Sequence, residues 1–259
     1  MIKIGFKKLA FFLFLTVLIS GCIPDYRIHP EFEMLAKNIK TLGLVTPDIK
    51  IYKLTAGGIR ELDDDWSSKG RQNVLDILLK LSKGTRIKIK PIEVDPEIEE
   101  EMEDIKSLYM AVNKSILLHT YNFPIDEINE PLDYPREDNK FSDKIKNFVY
   151  SIGSVEKITQ KYGVDGLMFI YGMDEISTKG RKMLKIAGSI LESITKVELM
   201  SPSLRRGGIT VLTMAIVDPN GNIIWYDAEI EEGIYDLRDP NSTYQILAKI
   251  FWQLPWSMY

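Results

Sequence analysis

The sequence predicts an α/β fold: a single mixed sheet layered with helices, with a C-terminal β-hairpin followed by a helix. Three observations predict it. Segments of strand spacing and segments of helix spacing alternate along the chain. Two runs, Leu167–Tyr171 and Ile209–Val217, are apolar on both faces, as strands covered by helices on both sides must be. Asp218-Pro219-Asn220-Gly221, a strong turn signal, joins the second run to a return strand ahead of the last helical segment. With 259 residues, 45% of them hydrophobic and 27% charged, the chain can build such a core and is neither disordered nor polytopic.

The first segment stands apart. Lys3, Lys7 and Lys8 precede an uncharged run from Leu9 to Leu18, and Leu18-Ile19-Ser20-Gly21 leads to Cys22, the one cysteine of the chain. The apolar run is too short to cross ~30 Å of hydrocarbon as a helix and has the order of a secretory leader. Leu18 to Cys22 resembles the lipobox of bacterial lipoproteins. That resemblance implies cleavage before Cys22, lipidation of its thiol and a palmitate-bearing anchor in the cell envelope. Ile23, where an aspartate would favour retention in the inner membrane, implies the outer membrane, facing the periplasm. The expected organisation is a leader over 1–21, a lipidated N-terminus and tether over 22–48, and one globular domain over 49–259. Loss of the three leader lysines takes the net charge from −4 to −7. An acidic mature chain argues against nucleic acid as a partner.

In the tether, Phe32, Leu35, Ile39 and Leu42 recur at helical spacing between Pro30 and Pro47. Asp48–Thr55 alternates as a strand. Asp63-Asp64-Asp65 supplies a cap and first-turn acids for a helix from Trp66 to Lys83. Arg86–Val94 is a strand with Ile87 and Ile89 on one face and three cations on the other, suited to a sheet edge. Asp95-Pro96 opens the longest helix, with Ile98, Met102, Ile105, Tyr109, Val112 and Ile116 as its stripe. A proline-bearing loop over 122–139 and short helices at 141–151 and 154–162 follow. Gly163 stops the second of these in the left-handed conformation. Residues 180–195 read as another helix, and Asp239-Pro240 starts the last one. Trp252, Pro255, Trp256 and Tyr259 form an aromatic end expected to pack over the sheet.

From Gly153 to Pro255, the helix end Lys161–Leu167 and the hairpin of Ile209–Trp225 resemble a group of envelope lipoproteins. The group includes the curli-secretion channel lipoprotein and the activators of penicillin-binding proteins. The resemblance implies a fold and a compartment. A curli-type pore would need strands of alternating character, whereas Ile209–Val217 is apolar on both faces.

Chemistry is sparse. Two histidines, His29 and His119, and one cysteine make no set of zinc ligands, and neither phosphate-loop nor nucleophile-elbow motifs occur. Asp218 to Glu229 has acids at calcium-loop spacing, but Ile223 stands where that loop needs glycine. Asp63-Asp64-Asp65, Glu99-Glu100-Glu101 and Glu229, Glu231 and Glu232 read as caps and solvated faces. No catalytic residue, cofactor or metal is expected. Residues 179–206 carry +5 in an otherwise acidic chain. Lys179, Arg181, Lys182, Lys185, Arg205 and Arg206 are the candidate contact for lipid head groups or an acidic partner. The expected function is a non-catalytic, lipid-anchored binding or assembly module with an envelope protein partner. The alternatives are a carboxylate-dependent glycan or peptidoglycan hydrolase, and a homo-oligomeric subunit of a secretion complex.

Overall fold

The computed structural model describes residues 26–55, 59–121, 147–177 and 208–255. Among these, eight strands form one mixed sheet flanked by five α-helices. The spine is β6 (Gly166–Ser177). On one side, β7 (Ile209–Val217) and β8 (Ile223–Glu232) follow antiparallel, and β1 (Arg27–Ile28) closes that edge against β8. On its other side β6 carries two parallel strands end to end, β2 (Thr41–Leu44) and β3 (Asp48–Leu54). Beyond them lie β5 (Lys88–Pro91), parallel to β2, and β4 (Arg60–Leu62), antiparallel to β3. The basic strand is therefore at an edge, as its alternating cations predict.

Two apolar layers sandwich the sheet. One is covered by α2 (Asp64–Leu81) and α5 (Pro240–Phe251), packed through Val74, Leu78, Ile246 and Ile250 onto Leu44, Ile51 and Met168. The other is covered by α3 (Glu99–Thr120) and α4 (Glu156–Tyr162), packed through Met102, Tyr109, Ile116 and Ile158 onto Leu167, Phe169 and Ala215. Trp225 and Tyr226, adjacent on β8, enter opposite layers, and both are fully buried. Each large apolar side chain so buried contributes about 1.5–3 kcal/mol.

The carboxylates of Asp63 and Asp239 cap α2 and α5, accepting from the backbone N–H groups of Trp66 and Ser242 at 2.9 and 2.8 Å. Asp95, expected to cap the longest helix, instead accepts from Glu97 N at 3.1 Å and caps a 3-10 turn over Pro96–Ile98 that leads into α3. Gly163 ends α4 at φ 62° and ψ 47°, a left-handed conformation that other residues resist. Gly221, at φ 86°, closes the turn between β7 and β8.

Three further expectations need correction. Residues 26–48 are not a tether. They supply β1, α1 (Phe32–Leu35), a 3-10 turn over Ala36–Asn38 and the interior strand β2. The helical spacing from Phe32 to Leu42 reflects two short turns and then a strand, all facing one core. Residues 147–151 are extended, not helical, and Ser151 bridges Asn222. Trp252 is 49% exposed and so is not packed down as expected; residues 256–259 lie outside the described residues. The helix expected at 180–195 and the loop expected at 122–139 also lie outside them.

Candidate binding cleft

The double partnership of β6 creates the main irregularity of the sheet. Leu44 pairs with Met168 and Asp48 with Tyr171. Three residues, Val45, Thr46 and Pro47, therefore stand opposite two, Phe169 and Ile170. The ladder survives through Val45 N–H donating to the Met168 carbonyl at 3.0 Å, and the strand bulges there. A cleft of about 900 Å³ opens at this point. It lies beyond the carboxyl end of β2, between a helix of one layer and a helix of the other. A concave cleft of this size is of the kind small-molecule sites use.

The cleft draws on four separate stretches of chain. Val45 and Pro47 come from the bulge, Phe169 and Ile170 from β6, Arg71 from α2, and Tyr109, Met110 and Lys114 from α3. Tyr109 stacks on Phe169 with ring centroids 4.5 Å apart and planes 20° from parallel, a favourable aromatic geometry. Burial pushes the Tyr109 hydroxyl above its ordinary range. That hydroxyl lies 3.5 Å from Thr213 Oγ1, at the margin of a hydrogen bond.

Beneath α3 a polar cluster continues inward. Asn113 Oδ1 accepts from Thr213 Oγ1 at 3.1 Å and from the Tyr226 hydroxyl at 2.8 Å. Asn113 is fully buried, and its amide nitrogen has no hydrogen-bond partner among the described residues. Residue 113 continues the stripe 102, 105, 109 and 116 and carries the polar group that the apolar reading of α3 missed.

Charge distinguishes the cleft. Lys50, Arg71, Lys106 and Lys114 face Asp48 and Glu103. Lys50 pairs with Asp48 at 3.3 Å and Lys106 with Glu103 at 2.7 Å. Among the described residues, that leaves the cations of Arg71 and Lys114 without an ion partner and the Arg71 Nε without a hydrogen-bond partner. A smaller hollow beside α5 offers a contrast. There Arg238 lies 3.8 Å from the Trp66 ring centroid and holds both Asp236 oxygens at 2.9 and 2.7 Å, so its charge is already answered.

A second groove, of about 600 Å³, lies at the amino ends of β2 and β5. Lys37, Lys40, Arg86 and Lys88 line it with Glu33 over a floor of Phe32, Ile39 and Ile87.

The acids singled out from sequence occupy other places. Asp63 caps α2, and its ion pair with Lys53 holds its carboxyl below the usual range. Glu101 pairs with Lys157. Glu229 and Glu231 share Lys249 at 3.3 and 3.2 Å. Asp218 accepts from Asn222 N and Nδ2 at 2.8 and 2.9 Å, which locks the hairpin. His29 is buried in a turn where its Nδ1 accepts from Glu31 N.

Asp174 is a carboxyl strongly altered by burial. Desolvation raises it to about 6. Its two oxygens accept from Thr210 Oγ1 and Leu237 N at 2.8 and 2.9 Å, and it lines neither cleft. It ties the segment after β8 to β6, a structural task. The hydrolase reading would need a second acid facing it across a cleft.

Cys22 and the basic residues Lys179, Arg181, Lys182, Lys185, Arg205 and Arg206 lie outside the described residues. Among the described residues, no group of three or more His, Cys, Asp or Glu side chains could hold a metal, and no helix is long and apolar enough to cross a membrane. Comparison with protein-family models, curated proteins and solved structures finds no match.

Proposed function

We propose that the chain is a lipid-anchored protein of the bacterial cell envelope, in the outer membrane on its periplasmic side, that binds other envelope components without transforming them. The observation that carries this reading is the join between anchor and fold. The lipobox ends at Cys22, and by Arg27 the chain is already paired with β8. The four steps from Cys22 to Tyr26 reach at most ~14 Å. A lipid on Cys22 thus holds the folded body against the bilayer rather than on a long leash. The basic groove of Lys37, Lys40, Arg86 and Lys88 supports the reading, because cations near an anionic leaflet add to the hold of acyl chains. So does the cleft between α2 and α3.

The test is metabolic labelling with radioactive palmitate and fractionation of wild type and Cys22→Ser. Label should appear on the wild type alone, and the serine variant should leave the membrane fraction. Absence of label from the wild type, or an unaltered distribution of the variant, overturns the anchor.

A further inference from the structure

We infer that the cleft between α2 and α3 binds a small anionic ligand that joins a phosphate or carboxylate group to an apolar body. The inference deepens the binding role proposed above and rests on it, but does not depend on the anchor. The anion is called for by Arg71. Its guanidinium lines the cleft and makes no ion pair among the described residues, and a cation left without a counter-charge beside an apolar surface favours an anion there. The two carboxylates of the cleft are engaged by Lys50 and Lys106, so the walls themselves offer Arg71 no counter-charge. Lys114, also without an ion partner among the described residues, lines the same cleft from the opposite helix. A guanidinium presents its donors in a planar fork that fits an oxyanion.

The apolar body is called for by the floor. Val45, Pro47, Tyr109, Phe169 and Ile170 are buried apolar or aromatic residues at the base of the cleft, and Met110 and Ala111 open onto it. A free inorganic ion would leave the open surface of Met110 and Ala111 uncovered. A volume of about 900 Å³ is within the range of small-molecule sites.

The probes are octyl phosphate below its micelle concentration, inorganic phosphate, and octyl glucoside, which keeps the chain without the charge. Each is titrated calorimetrically into the full chain carrying Cys22→Ser. Octyl phosphate should bind at one site per chain, at least tenfold more tightly than either other probe. Arg71→Gln and Lys114→Gln should each weaken it several-fold and together at least tenfold, with thermal unfolding unchanged. The single exposed change at Lys114 keeps the test open if Arg71→Gln alters folding. Binding no tighter than that of octyl glucoside, or indifferent to both substitutions, overturns the inference.

A competition arm separates two sources of the same chemistry. If phosphatidylglycerol vesicles compete with octyl phosphate, the ligand is a lipid head group; if they do not, it is a soluble anion. Either result upholds the site. A failed titration leaves the palmitate result standing, and a failed label leaves the titration standing.

Discussion

Asp174 gives the fold a pH dependence that can be worked out in advance. Its carboxyl is held at about 6 in the folded chain against an unperturbed value of ~3.9. Between these values the folded state binds the proton that the unfolded state has released, so stability falls as pH rises. The favourable balance is complete below about pH 4, is lost through pH 4–6 and is gone above the folded value. A shift of roughly two units amounts to about 3 kcal/mol over the whole window, and about 2 kcal/mol between pH 4.0 and 7.5. Asp174→Asn removes the titration while keeping the contacts. The amide oxygen can accept from Leu237 N. The amide nitrogen can donate to Thr210 Oγ1, whose own hydrogen can turn to the Tyr235 carbonyl 3.4 Å away. Urea unfolding of both proteins at the two pH values is the assay. With slopes of about 2–3 kcal/mol per molar expected for this size, the difference in midpoints should move by about 1 M in favour of the variant at the higher pH. A difference that stays the same at both values would refute the reasoning.

Two further substitutions test parts of the core. Asn113→Ala deprives the Thr213 and Tyr226 hydroxyls of their shared acceptor and should cost about 2–3 kcal/mol in urea unfolding. Lys114→Ala beside it should change stability by less than about 0.5 kcal/mol. Gly163→Ala meets no atom within 4 Å, so its penalty is purely that of a positive φ. A loss of about 1–2 kcal/mol is expected, with a smaller loss for Gly163→Asn, and a melting curve indistinguishable from wild type would contradict the left-handed cap.

The parts of the fold legible in the sequence are those decided within a few residues. Asp63 and Asp239 announce helices because a carboxylate cap acts over three residues, and Asp95 announces the turn that leads into another. Gly163 and Asp218–Gly221 announce a stop and a turn for equally local reasons. Leu167–Tyr171 reads as interior because both its faces are apolar, although β6 runs on to Ser177. The strands β1 and β2 escaped notice because two and four residues are too few to show a period. Gly43 also interrupts the second of them, where a Cβ would meet Ile92 Cδ1 at 2.5 Å. The cleft was illegible for another reason. Its charged residues stand at 48, 50, 71, 103, 106 and 114, and nothing local distinguishes Arg71, whose lack of an ion partner among the described residues exists only once α2 and α3 are packed. Asn113 was hidden by its neighbours, since a stripe of apolar residues draws the eye past a polar one at the same spacing.

The three-against-two step at Val45–Pro47 is also a phase shift. Before it the even-numbered Leu42 and Leu44 point into the layer of α2; after it the odd-numbered Ile49 and Ile51 do. One surplus residue accounts for the change of parity. Excising exposed Thr46 would leave a seamless strand along β6, with every interior side chain on its former side. The surplus residue is thus the local cause of the break beside which the cleft opens.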